Sequence, residues 1–424
     1  MHTLLAIVVS ILSFGAVPGD TTVNNAAAIN SAINRCAENG GGTVSVPGGT
    51  FTTGTIHLKS NVTLRLETGA VLRGSSRLSD YSHLETTADL SKYESGQGTV
   101  NYNSATDPVW SQALILGVGI SHAAICGDGT IDGADLRNPK GEEHMRGPHT
   151  VLLADCSDVT MRDITLRRSA NYAVLGYKLS HATFSGLTVE GGWDGIHIRG
   201  AKHTVISRCR LFTGDDAIAG GYWDDMRIEG CTLNSSCNGI RMIMPSTGVD
   251  VTRCTFFGPG NYEHITSHNT HSAHGIIIEP GAWGKAPGRL DHIDISHCDM
   301  RQVLAPVCVT LGNDNSLGTI TISHLTASDV TRMALSVKSW GTAVTDRVVM
   351  KHCSLEFRGI DDPQLPSWFD THSTNEWPVF PCWGAYFRNV KSLNVKDVKL
   401  SVKGTDYRKA TMLDNVESIK GTFE

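Results

Sequence analysis

An octet first clear at Val159-Thr-Met-Arg-Asp-Ile-Thr-Leu166 recurs at Ala182 to Val189, Thr204 to Leu211, Met226 to Leu233, Val249 to Phe256, Ile293 to Met300, Ile320 to Ala327, Val348 to Leu355 and Leu393 to Leu400. The first five copies begin 23, 22, 22 and 23 residues apart. A fixed period of this size is the signature of a stacked repeat, in which each unit buries its apolar face only against its neighbours. Within each octet apolar and polar residues alternate with period two, and Gly, Asn and Asp gather between octets, so the repeating elements are short strands joined by turns. Coils of about 22 residues then stack by parallel pairing at roughly 4.8 Å per coil. The expected fold class is all-β: a single-domain right-handed parallel β-helix with one continuous interior. That architecture accommodates 424 residues, more than one ordinary globular core serves.

Composition agrees and removes several function classes. Forty-four glycines, 18% charged residues and 40% hydrophobic residues describe a folded, turn-rich chain rather than a disordered one or a coiled coil. With 36 Lys+Arg against 42 Asp+Glu and no dense basic run, electrostatic capture of nucleic acid or of an anionic membrane is not expected. Five of the eleven cysteines, Cys209, Cys231, Cys254, Cys298 and Cys353, occupy the sixth octet position, where other copies carry Ile164, Leu187, Leu325 and Val398. They read as inward hydrophobes, not as a disulfide framework or a zinc site.

The ends of a β-helix expose strand edges and need covers. Ala26 to Ala37, apolar at Ala27, Ile29, Ile33 and Ala37, reads as an amphipathic N-terminal capping helix. Residues 1–13 contain the short apolar run Leu4 to Leu12, a signal segment or a first strand, and residues 14–424 form the β-helix domain. The first alternative implies a secreted or periplasmic protein. Two aperiodic stretches, Tyr81 to Trp110 and Asp361 to Trp383, are placed to wall a cleft or cover the C-terminal end.

Between octets, Tyr172-Ala-Val, Asp194-Gly-Ile, Asp216-Ala-Ile, Asn238-Gly-Ile and His274-Gly-Ile are equivalent and should form one column. With Ile196, Ile218, Ile240 and Ile276 pointing inward, alternation sends His197, Ala219, Arg241 and Ile277 outward, and after them Arg199, Gly221, Ile243 and Glu279. Asp194 and Asp216 lie a coil apart and Asp215 sits at the same turn, so three carboxylates can converge. Crowded like charges raise at least one proton affinity. Such a group suits glycosidic hydrolysis, in which one carboxylic acid protonates the leaving oxygen while a carboxylate activates water or attacks carbon; it would equally suit a calcium site. Trp193 and Trp223 flank the column and are placed to stack on sugar rings. His264, His268, His271 and His274 form a histidine-rich tract without the partners of a closed metal site.

These residues resemble the polygalacturonase-like family 28 glycoside hydrolases of the pectin-lyase-like β-helix superfamily, over most of the chain. Phe14-Gly-Ala-Val-Pro-Gly-Asp20 looks like the family's opening strand, Ala26 to Phe51 like its cap helix and glycine-rich turn, and Gly127-Asp-Gly-Thr-Ile-Asp-Gly133 like its early-coil signature. Trp193-Asp194-Gly195-Ile196 stands where members carry Asn-Thr-Asp-Gly-Ile, and Gly214-Asp215-Asp216-Ala217-Ile218-Ala219 matches the Gly-Asp-Asp motif. The resemblance implies that Asp215 is the general acid, that Asp194 and Asp216 hold and activate water, and that the reaction inverts the anomeric centre. Two departures stand out. The family's Gly-His-Gly is Cys237-Asn238-Gly239, leaving His197 or His274 to compensate, and its Arg-Ile-Lys is Ile277-Ile278-Glu279, leaving Arg199 and Arg241 as the cations. Replacing two cations by an apolar group and an anion should repel a uronate there. The resulting expectation is a polysaccharide or oligosaccharide substrate other than ordinary polygalacturonate, bound by Trp193, His197, Arg199, Trp223, Asn238, Arg241, His274 and Glu279, with no cofactor and no metal. A lyase on the same scaffold and a non-catalytic carbohydrate-binding β-helix are the alternatives. Oligomeric state is encoded in none of these features.

Overall fold

The computed structural model describes residues 7–94, 103–363 and 380–424. Strands dominate it, and the ladders that join them are parallel. Each strand is followed by turns and further strands before the chain returns one coil on, the right-handed sense that parallel crossovers adopt. Among the described residues no helix is long and apolar enough to cross a membrane. Contacts divide the chain between Phe212 and Thr213 into two compact units.

The first unit holds three ladders. One runs from Ile7–Ser10 through Gly42–Val46, Val62–Leu66, Ala124–Gly127 and Thr160–Arg162 to Thr183–Ser185. A second joins Gly49–Thr53, Ala70–Gly74, Thr130–Asp132, Thr165–Arg167 and Thr188–Glu190. The third joins Ile56–His57, Ala113–Val118, His149–Ala154, Val174–Ser180 and Ile196–Ser207. The apolar run near the start thus contributes a strand, Ile7–Ser10, paired with Gly42–Val46, and Ile11 behind it is fully buried.

The cap is the α-helix Ala26–Glu38. Its buried stripe is Ile29, Ala32, Ile33 and Cys36, the i, i+3, i+4, i+7 face of a helix lying on a core. Ala27 is exposed and Ala37 only half-buried, so the stripe is rotated from the face expected on apolar character alone. Alanine's weak hydrophobicity lets the bulkier Ile29 and Ile33 decide which face goes down.

In the second unit the octets stack in the expected register, Met226 opposite Val249, then Ile293, Ile320, Val348 and Leu393. Cys231, Cys254, Cys298 and Cys353 are buried with these residues, and Cys209 likewise in the first unit. All eleven cysteines are free thiols. Ile218, Ile240, Ile276 and Val307 form an inward column in register, each with no exposed surface. The aperiodic segment 361–383 lies largely outside the described residues, as do 95–102 of the other excursion.

Candidate active site

In the first unit Val174 pairs with Ile196, Leu175 with His197 and Tyr177 with Arg199, so alternation sends His197 and Arg199 to the outside of the coil. Both are nevertheless buried under neighbouring side chains and loops, as is Asp194. The three form a chain. Arg199 Nε donates to His197 Nε2 at 3.1 Å, and His197 Nδ1 lies 2.6 Å from Asp194 Oδ2. A guanidinium can only donate, so Nε2 carries the lone pair and Nδ1 the proton, and the imidazole donates to Asp194 Oδ2. Tyr172 lies flat on the His197 ring, with centroids 4.6 Å apart and planes 4° from parallel, and Arg199 Nη1 is fixed by the Asn103 carbonyl at 2.9 Å. Carboxylate, imidazole and guanidinium are held in one orientation.

Trp193 does not present a face to solvent. It is 2% exposed, and the Arg146 guanidinium covers its ring at 3.6 Å while pairing with Glu142 and Glu143. The cation stacks on the indole and leaves no room for a sugar. Trp223, in the second unit, is 1% exposed and equally unavailable. The expectation that these two indoles carry sugar rings is corrected on both counts: each packs under its neighbours.

In the second unit Asp215 and Asp216 head the strand Ile218–Glu229, and Asn238 and His274 head the two strands that follow it, Asn238–Met242 and His274–Ile278, in direct register. Here too the polar groups form a relay. Asn238 donates to Asp216 Oδ1 through its side chain at 2.7 Å and its backbone N–H at 3.2 Å, and its own Oδ1 lies 2.7 Å from His274 Nδ1. Because Asn238 spends its amide N–H on the carboxylate, its oxygen must accept, and His274 donates. Burial pushes His274 down to about 3, helped by Arg241 and Lys338, so it acts as a neutral, orienting donor. Asn238 occupies the place expected of the tuning histidine, and His274 one coil on supports it.

Asp216 is buried, and that burial pushes its carboxyl up to about 7 despite Arg241 and Asn238, which favour the anion; the neighbouring Asp215 adds to the rise. Asp215 retains some exposure, 13% for its side chain. Its Oδ1 accepts the Asp216 backbone N–H at 3.0 Å, and Thr213 and Ser235 hydroxyls hold its carbonyl at 2.6 and 2.7 Å. The turn is therefore fixed from both sides. His264 Nε2 lies 3.7 Å from Asp215 Oδ2. Asp215, Asp216 and Cys237 bring one donor atom each within 4.8 Å, the only grouping of metal-ligand type among the described residues.

Arg241, in register with Ala219 and Ile277, is bound by Glu279 at 2.8 and 2.7 Å, approaches Asp216 Oδ2 at 3.7 Å and lies over the Trp283 ring at 5.1 Å. Glu279 thus pairs with the arginine beside the carboxylate pair. Ile243, expected on the polar face, packs with Met244, Ala286 and Trp283. The sequence pattern put all of these site residues on one outward column, with Asp194 converging on Asp215 and Asp216. Within the first unit Asp194, His197 and Arg199 are linked, and within the second Asp215, Asp216, Asn238, Arg241, His274 and Glu279 are grouped. The pattern missed Tyr172 as the platform for His197, although Tyr172 heads the preceding coil. It also missed Arg146 and Glu142, which come from an aperiodic loop, and His264, whose tract read as histidine-rich rather than as a neighbour of Asp215.

Residues 117–278 match the model of the right-handed beta helix region. A "probable polygalacturonase" of Vitis vinifera is 26% identical over 282 residues, covering 63% of this chain, and the chain spans only about half, 52%, of that relative's own length. Among solved structures, the polygalacturonase of Erwinia carotovora ssp. carotovora superposes with a TM-score of 0.57 at 14% identity, covering 96% of each chain. PfbA, a surface adhesin of Streptococcus pneumoniae, superposes with a TM-score of 0.59 at 14% identity, covering 96% of this chain and 93% of its own. At such identities the structural likeness speaks for the fold and does not separate hydrolase from adhesin. The chain therefore folds as a right-handed parallel β-helix, and its sequence is similar to that of polygalacturonases.

Proposed function

We propose that this protein is a glycoside hydrolase that cuts a pectin-like glycan by direct displacement with inversion. The observation that carries the reading is the Asp215–Asp216 pair: one carboxyl partly exposed, the other buried with its proton affinity raised to about 7, both oriented by hydrogen bonds. Asp215 is assigned the general acid, giving its proton to the glycosidic oxygen as the bond to the anomeric carbon breaks. Asp216 takes the proton of the water that attacks that carbon, and an affinity near neutrality suits a general base working there. By the sequence resemblance Asp194 shares the base's part, its carboxylate oriented by His197, which Arg199 in turn holds.

The substrate follows from charge. Arg241 is already held by Glu279, so a uronate at the sugar position beside Asp216 would meet the Glu279 carboxylate and compete with it for Arg241. We infer that this position takes a neutral sugar, in a glycan whose acidic units fall elsewhere, and that the enzyme meets it outside the cytosol. Hydrolysis of a panel of linear polygalacturonate, mixed-backbone pectic glycan and neutral galactan, followed by reducing ends, tests the assignment. Turnover should be highest on the mixed glycan; a tenfold preference for linear polygalacturonate would overturn the specificity.

A further inference from the structure

The second ladder of the first unit carries a different cluster. Val71, Thr130 and Thr165 are in register across it, and two residues on, facing the same way, so are Arg73, Asp132 and Arg167. Arg168 follows at the turn. Together Thr50, Val71, Arg73, Asp132, Arg167 and Arg168 line a cavity of about 390 Å³, within the size range of small-molecule sites. The group lies on a different ladder from Ile196–Ser207, which carries His197 and Arg199.

Asp132 is 1% exposed and has all the donors a buried carboxylate needs. Arg168 binds it through Nε at 2.9 Å and through Nη2, Arg167 through Nε at 3.2 Å, and the Ala134 backbone N–H donates at 2.9 Å. Arg73 is surplus to this requirement, since among the described residues its side chain has no hydrogen bond and no ion pair. Glu190, in register with Arg167 on the next strand, pairs with none of the three guanidiniums. The cavity lining thus carries three arginines against Asp132, with Asp135 acting on Arg168 and Glu190 beside Arg167 outside the lining. Arg167 and Arg168 keep nearly half of their side-chain surface exposed, so their remaining N–H groups are reachable. Arg168 also adopts a left-handed backbone, φ 48°, where the next coil uses Gly191 at φ 71°. The same left-handed conformation is shared by Arg208 and Arg253 at other coil corners, so it places the Arg168 side chain without marking a ligand.

We propose that this cavity is a second saccharide site, outside the catalytic group, that takes the carboxylate or sulfate of an acidic sugar between Arg73, Arg167 and Arg168. Guanidinium forks match the paired oxygens of either anion, and Asp132 keeps two of the forks oriented before the ligand arrives. The Thr50 hydroxyl and Val71 methyls supply the mixed polar and apolar floor that a sugar ring meets.

Calorimetric titration of the full chain in an Asp215→Asn background, which spares the ligand, tests the proposal with trigalacturonate, a sulfated disaccharide and a neutral galactotriose. The acidic sugars should bind, and Arg73→Glu should weaken them at least tenfold, Arg73→Lys less; the neutral sugar should bind equally to all three proteins. Stronger binding of the carboxylated or of the sulfated probe identifies the anion. Because the Arg73 side chain has no hydrogen bond or ion pair among the described residues, its replacement by Lys removes no bond of the Asp132 network, and Arg73→Lys controls for the new carboxylate of Arg73→Glu beside Arg167 and Arg168. Absence of binding by both acidic probes, or binding that Arg73→Glu leaves unchanged, overturns the site. Turnover of a short substrate by the Arg73→Glu chain with Asp215 intact should equal that of the parent, so failure here is separable from failure of the glycosidase assignment.

Discussion

Replacing Asp216 by Asn should make the protein more stable at alkaline pH and leave it unchanged in acid. Burial lifts the Asp216 carboxyl from an ordinary 3.8 to about 7, so the folded chain holds this proton about three pH decades more tightly than the unfolded one. At about 1.4 kcal/mol per decade the group is worth about 4 kcal/mol. The sign is that of a raised acid: its stabilisation is complete below pH 3.8 and is lost as pH rises to about 7, beyond which the chain carries the full cost of a buried anion. The Asp216→Asn amide would keep the hydrogen bond from Asn238 through its own oxygen while carrying no charge. Urea unfolding of both proteins between pH 4 and 9 gives the difference directly. His274 and His149, whose burial drives both down to about 3, act oppositely, losing stability as pH falls below their unfolded value near 6.5. They are common to both proteins and cancel in the difference. The variant should equal the parent near pH 4 and exceed it by about 2 to 4 kcal/mol at pH 8.5. A difference that does not change with pH, or a parent more stable than the variant at pH 8.5, would refute the argument that burial dominates at Asp216.

Three further outcomes follow from the same geometry. Asn238→Leu removes the side-chain donor to Asp216 and the acceptor of His274, so the acidic limb of the pH profile of kcat/KM, expected near pH 7, should move upward, whereas an unmoved limb would detach Asn238 from the carboxylate's tuning. Glu279→Lys releases Arg241 and adds a cation, and should raise kcat/KM on linear polygalacturonate about tenfold relative to the mixed glycan; kinetic comparison of the two substrates checks it. Native thiol titration should find at most the half-buried Cys237, with all eleven thiols appearing on unfolding, and a lower total would reveal a disulfide.

The fold was legible because a β-helix repeats its physics. One octet aligned on the next predicts which side chains stack, and the observed register from Met226 to Leu393 is that alignment. The candidate site was legible where it lies on strands: alternation alone places Ile240 and Ile276 inward and Arg241 outward, and puts His274 beside Asn238. It failed where loops return over the coil. Nothing periodic announces that Arg146 will cover Trp193, and a residue pointing away from the core was taken as exposed, although Trp193 and Trp223 are both buried. The arginine cavity escaped for a related reason: Arg73 and Asp132 are in register across the long aperiodic excursion that begins at Tyr81, where spacing no longer reports stacking.

Products of the purified protein and its Asp215→Asn variant on a pectic glycan panel, read for reducing ends and for unsaturated-uronate absorbance together, test the central claim most directly. The account predicts reducing ends without absorbance, reduced about a thousandfold or more in the variant while urea unfolding stays the same. Absorbance of an unsaturated product would make the protein a lyase, full activity in the variant would remove Asp215 as the acid, and binding of the glycan without either product would make it a carbohydrate-binding β-helix; each contradicts the account.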